Sequence, residues 1–134
     1  MASVAPDLRS ASLLDWYARN RRRSADIFAL VADSAFYARP IALRHPFVFY
    51  EGHIPAFSFL TVNERALGES PVDPEFERLF ERGIDPGSGD EAARLSRSDW
   101  PTRDAVHAFG RACDERVQRA LAHALDDPAV PRLV

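Results

Sequence analysis

The side chain in this sequence best suited to chemistry is the imidazole of His53. It is set in Phe47-Val48-Phe49-Tyr50-Glu51-Gly52-His53-Ile54-Pro55-Ala56-Phe57-Ser58-Phe59-Leu60. One helical turn separates it from Phe49 before and from Phe57 after, so on a helix all three share a face and point inward together. A buried imidazole needs partners for its ring nitrogens. Two readings meet that need. One is a core histidine held by a backbone carbonyl or a tyrosine. The other is a metal ligand, because neutral imidazole is the commonest metal-binding side chain. Spacing alone leaves both open.

The remaining reactive side chains read more plainly. His45 precedes Pro46 at a helix start, which suggests a surface or capping residue. His107 and His123 fall on opposite flanks of the last helix's apolar stripe, too far apart to share a metal, so both are expected in solvent. Glu51 and Glu64 could orient a ligand, though exposed charge is the commoner role for each. Cys113 lies inside the stripe, where a thiol behaves as a small apolar residue whose pKa is not lowered. Arg21-Arg22-Arg23 is either an anion site or, as such runs usually are, a solvated helix face. The spacings of P-loops, dinucleotide fingerprints, zinc-finger pairs and nucleophile elbows are absent.

The elements that must position these groups are helices. From residue 12 to about 32, Leu13, Trp16, Tyr17, Ile27, Phe28 and Val31 follow amphipathic helical spacing, with Ser10 or Ser12 able to cap the start. Arg39-Pro40 biases the next stretch away from helix. A second helix is predicted over 46–67, with Pro46 as its first residue and Gly68 as its stop. It is aromatic on almost every side and should be central. Gly52 and Pro55 weaken its interior, by about 1 and 3 kcal/mol relative to alanine, so a kink near His53 is expected. Asp73 and Pro74 open a short helix over 73–82 that Gly83 ends, and 84–98 reads as a surface loop. Thr102 caps the last helix, 103–125, striped by Val106, Phe109, Cys113, Val117, Ala120, Leu121 and Ala124. Residues 126–134 read as an interhelix linker.

The chain has 134 residues, 46% of them apolar, which suits one globular domain. Its net charge of −3 gives no electrostatic reason to expect nucleic acid. A single cysteine rules out an internal disulfide. No signal peptide and no run of 18 apolar residues is seen, so a cytoplasmic setting without a membrane partner is expected. The predicted fold is all-α, with three long helices and one short one. That is one helix short of a closed bundle, so a fourth helix or another chain should cover the uncovered faces.

Several segments together resemble a known family. Gly52-His53 within Phe49-Tyr50-Glu51-Gly52-His53 resembles the tryptophan-x-x-Gly-His segment on the second helix of the DinB-like domain. The likeness is greatest to the variety at the N-terminus of EgtB-like non-haem iron enzymes, the ergothioneine-biosynthesis sulfoxide synthases and their relatives. Phe76-Glu77-Arg78-Leu79-Phe80 resembles the family's short segment after that helix. Leu95-Ser96-Arg97, Trp100-Pro101-Thr102 and Val106-His107-Ala108-Phe109 resemble its loop into the third helix. The resemblance spans about residues 12–125 in the family's order. Phe49 stands where the family usually has tryptophan, and Phe59 where it often has glutamate.

The resemblance implies a DinB-like four-helix bundle whose fourth helix would begin after Arg132 and is missing here. In that family, one histidine from the second helix joins a His-x-x-x-His pair from the fourth to bind iron. By position, His53 is the second-helix metal ligand; no catalytic residue is assigned. The cofactor implied is iron(II), with zinc or nickel as alternatives, and the partners are a small-molecule thiol and oxygen. The expected function is the N-terminal metal-site part of an iron(II)-dependent sulfoxide synthase, inactive as this chain alone. Two other readings stand beside it. One is a stand-alone DinB-like thiol transferase or hydrolase. The other is a non-enzymatic helical interaction module that self-associates through uncovered apolar faces.

Overall fold

The computed structural model describes residues 10–81 and 99–124, and its regular structure is helical, with no strand among these residues. The 84–98 loop, Gly83, the 126–134 linker and the Leu95-Ser96-Arg97 segment lie outside these residues. Helix α1 is Ser10–Ala29 and α2 is Phe47–Phe59, continuing as a π-helical segment over Leu60–Ala66. The short α3 is Pro74–Phe80, and α4 is Arg103–Ala124. A single 3-10 turn, Asp33–Ala35, follows α1.

Helix α2 is the hub, packing on α3 and α4 and continuing into the π segment. It runs unbroken through Gly52 and Pro55, and the departure from α geometry falls at Leu60 rather than near His53. Pro46 is its N-cap rather than its first turn. The first amide groups of α2 bond to chain rather than to water: Phe47 N–H donates to Ala38 O at 3.3 Å and Val48 N–H to Phe36 O at 2.9 Å. That accounts for donors a helix start otherwise leaves unpaired. Pro55 is buried against α4, where a Cβ on Gly110 would stand 3.4 Å from its Cγ. Packing against a glycine therefore offsets the hydrogen bond the proline removes.

The ends of the helices follow their local chemistry. Asp73 accepts from Glu75 N–H and Phe76 N–H at 3.1 Å each, with Pro74 in the first turn. Thr102 Oγ1 accepts from Ala105 N–H at 3.2 Å. Gly68 takes a φ of 67° after the π segment, the left-handed conformation glycine adopts without strain.

The core is Phe36, Val48, Phe49, Ala56, Phe59, Phe80, Trp100 and the α4 stripe Val106, Phe109, Cys113 and Val117. Burial pushes the Cys113 thiol up to about 12, so it is an inert core group.

Helix α1 is held to α4 by polar contacts. Tyr17 Oη donates to Asp114 Oδ1 at 2.7 Å and Arg21 Nε to the same oxygen at 2.8 Å. Arg103, at the start of α4, donates to Phe28 O and Val31 O at 2.8 Å each and so caps the carbonyl end of α1. Of the apolar residues expected to bury α1, Trp16 and Ile27 are instead 56% and 59% exposed. Leu30 and Phe57 are exposed as well.

The π segment and α3 meet through acids. Glu77 is buried, and its Oε2 accepts from Asp73 N–H at 3.2 Å. Burial first, then the hydrogen bond and charge of Glu64, push its carboxyl up to about 7. A carboxyl raised in the folded state favours folding where it is protonated, and that contribution is lost as pH rises through about 7. Through Glu77, urea unfolding should therefore give a stability lower at pH 8 than at pH 5.5. In Glu77→Gln this difference should shrink.

Candidate metal centre

The His53 side chain is half-buried. Phe49, fully buried, stacks on it at 5.1 Å between centroids and 24° between planes. Phe57, on the other side, lies at 5.7 Å and is 54% exposed. The expectation that His53 points inward with both neighbours thus holds for Phe49, while Phe57 turns to the rim.

One nitrogen of the ring is fixed. Nδ1 lies 2.6 Å from the backbone carbonyl of Phe80. A carbonyl oxygen only accepts, so Nδ1 must carry the proton, and in the neutral ring Nε2 keeps its lone pair. This is the arrangement found behind metal-bound histidines, where a second-nitrogen hydrogen bond to a carbonyl sets tautomer and orientation. The structure thus gives His53 the backbone-carbonyl partner of the core-histidine reading, through a bond that does not use Nε2.

Gly52 makes that contact geometrically available. A Cβ there would stand 2.6 Å from Cδ1 of the Phe80 ring and nearer still to Cε1 and Cζ. Only a bare helix surface at 52 admits the ring, and with it the carbonyl that reaches His53. The ring itself is fully buried, stacked on Phe109 at 5.9 Å with Trp100 at 6.2 Å.

The other histidines stand apart from this nitrogen. His45 is buried rather than at the surface, its ring 3.9 Å from that of Phe49, and its backbone N–H donates to Tyr50 Oη at 3.2 Å. Residues 45, 49, 53 and 57 form one aromatic column at four-residue spacing. His107 is not simply solvated: its Nε2 contacts Glu51 Oε1 while the side chain is 42% exposed. Glu51 is also no free surface charge; it holds His107, with Arg103 at 3.5 Å, and does not support His53. Glu64 meets Glu77 instead of solvent alone. His123 is exposed.

Sequence reasoning missed Arg103 and the Glu51–His107 pair. The four-residue spacing of Arg103 and His107 on α4 could have shown a shared face seeking an acid.

Among the described residues, no group of three or more histidine, cysteine, aspartate or glutamate side chains is arranged to hold a metal. The donor chemistry here fits a metal at one position, Nε2 of His53, and further donors would have to come from outside those residues. No helix among them is long and apolar enough to cross a membrane.

The arrangement is that of an all-helical protein with a single oriented imidazole at the edge of its core. Comparison with known proteins gives it relatives: the chain is similar to "Ergothioneine biosynthesis protein 1" of Neurospora crassa, with 26% identity over 141 aligned positions that take in 98% of this chain. It is similar to the protein of the same name from Schizosaccharomyces pombe, with 27% identity over 121 positions and 87% of this chain. The chain spans 16% of the length of each of these relatives. No protein-family profile matches it.

Proposed function

We propose that this chain contributes one ligand, His53, to a non-haem iron(II) centre of the EgtB-like kind, serving oxidative carbon–sulfur bond formation on a small thiol. The observation that carries the reading is the Nδ1 hydrogen bond to Phe80 O, which leaves Nε2 as a donor. The similarity of nearly the whole chain to proteins named for ergothioneine biosynthesis supports the substrate class. Iron bound here would supply oxygen activation for the net reaction of a thiol, a C–H carbon and O2 to a sulfoxide and water.

The chain's own residues hold and shield the donor. Phe80 O fixes the tautomer, and Phe49 blocks one face of the ring. Phe57 covers part of the other while the rim stays open. A facial set of three ligands leaves room for oxygen and substrate, and one imidazole cannot supply it. Two more donors from outside the described residues complete the site. Cytoplasmic location belongs to the same proposal.

A zinc or nickel thiol transferase or hydrolase would need His107 or His123 beside His53. Glu51 already engages His107, and no such grouping occurs among the described residues. A docking role for the helices is supported by the exposure of Trp16, Ile27, Leu30 and Phe57. It complements the metal reading, because helices that bring the missing ligands would cover exposed apolar residues of this kind.

Anaerobic titration with iron(II), and with zinc(II) as a spectroscopically silent control, tests the assignment. His53→Ala is expected to weaken binding at least about tenfold, whereas His107→Ala and His123→Ala leave it unchanged. One-to-one binding that survives His53→Ala would remove His53 from the site.

A further inference from the structure

On the side of α2 away from His53, a groove of about 470 Å³ runs between α1 and α4, with Glu51 and Pro55 of α2 at its base. Those two residues lie two positions from His53, about 200° around the helix, so this groove is separate from the metal ligand. Its charge is opposite to that of the protein. Four arginines, Arg21, Arg22, Arg103 and Arg111, line it against two carboxylates, Glu51 and Asp114, in a chain of net charge −3.

Both acids are already engaged. Asp114 accepts from Tyr17 and Arg21, and Glu51 faces His107 and Arg103. Arg103 is spent on the carbonyls of Phe28 and Val31. Arg22 and Arg111 make no hydrogen bond or ion pair among the described residues. Arg21 is anchored through Nε, which holds its terminal Nη2 beside Gly110, 3.9 Å from where a Cβ would stand. A guanidinium fixed through Nε presents a ready fork to an anion, at less entropic cost than a free side chain. Between the cations the floor is apolar, supplied by Ala25, Phe28 and Pro55.

We propose that this groove is a binding site for a small organic anion. Its oxygens are gripped by Arg21, Arg22 and Arg111, and its carbon body lies on the apolar floor. The carboxylate and phosphate forms of such a ligand share that oxyanion chemistry. The assignment is independent of the role given to His53.

Calorimetric titration of the chain with glutarate and, separately, with inorganic phosphate, at fixed ionic strength in chloride, decides it. Saturable one-to-one binding with a dissociation constant at or below about 10 mM is expected for at least one probe. Glutarate alone marks a carboxylate ligand, phosphate alone a phosphate ligand, and both the shared chemistry. The double variant Arg22→Ala/Arg111→Ala should weaken binding by about tenfold or more, while Arg78→Ala on α3 should not change it. Neither variant removes a hydrogen bond or ion pair among the described residues, so loss of binding will not reflect loss of such a contact. Absence of saturation with both probes, or binding unaffected by the double variant, overturns the proposal.

Discussion

Alanine in place of Gly52 is expected to destabilise the chain by about 3 kcal/mol, although alanine is the better helix former. Intrinsic propensity favours the substitution by about 1 kcal/mol, since Gly52 lies inside α2. The added methyl, however, would occupy the space of the Phe80 ring edge, 2.6 Å from Cδ1 and closer to its neighbours. That ring cannot swing away. It is fully buried, with Phe76, Trp100 and Phe109 around it at 5.9–6.2 Å between centroids. Relief must come from a shift of α3 away from α2, which also draws the Phe80 carbonyl off His53. Urea unfolding measures the first effect. A stability equal to or above that of the parent chain would show that the α2–α3 contact is looser than described.

Phe80→Ala should cost more, about 4 kcal/mol, because a fully buried aromatic leaves a cavity that its stacked neighbours cannot fill. The backbone carbonyl bonded to His53 survives this change chemically, so loss of packing and loss of the hydrogen bond can be separated. The pair forms a cycle with a definite sign. In Gly52→Ala/Phe80→Ala the new methyl enters space the ring has vacated, and the total should fall well below the sum of the single costs. Strict additivity, measured by urea unfolding of all four chains, would contradict the close approach.

The parts of this fold that were legible in the sequence are those set by local chemistry. Asp73, Thr102 and Gly68 act where their side chains or backbone freedom predict, and the α4 stripe from Val106 to Val117 is buried as its period requires. The stacking of His53 on Phe49 followed from their four-residue spacing, though the histidine is only half-buried. What sequence could not show depends on partners distant along the chain. Arg103 caps carbonyls 72 and 75 positions earlier in the chain, which nothing local to it announces. His45 seemed to belong at the surface because Pro46 marks a helix start, but the aromatic column continues one turn back and buries it. Trp16 and Ile27 have the right period for a core face, yet α1 meets α4 through Tyr17, Arg21 and Asp114 instead. The carbonyl that fixes His53 belongs to the backbone of residue 80, a group no side-chain pattern reveals.

Everything proposed about the metal depends on which nitrogen of His53 carries the proton. Long-range nitrogen–proton NMR of the histidine rings reads this directly at neutral pH. The result expected is an Nδ1–H tautomer for His53, with Nε2 as the unprotonated nitrogen and the one whose resonance shifts when zinc(II) is added. A proton on Nε2, or a zinc-induced shift confined to the other imidazoles, would contradict the account.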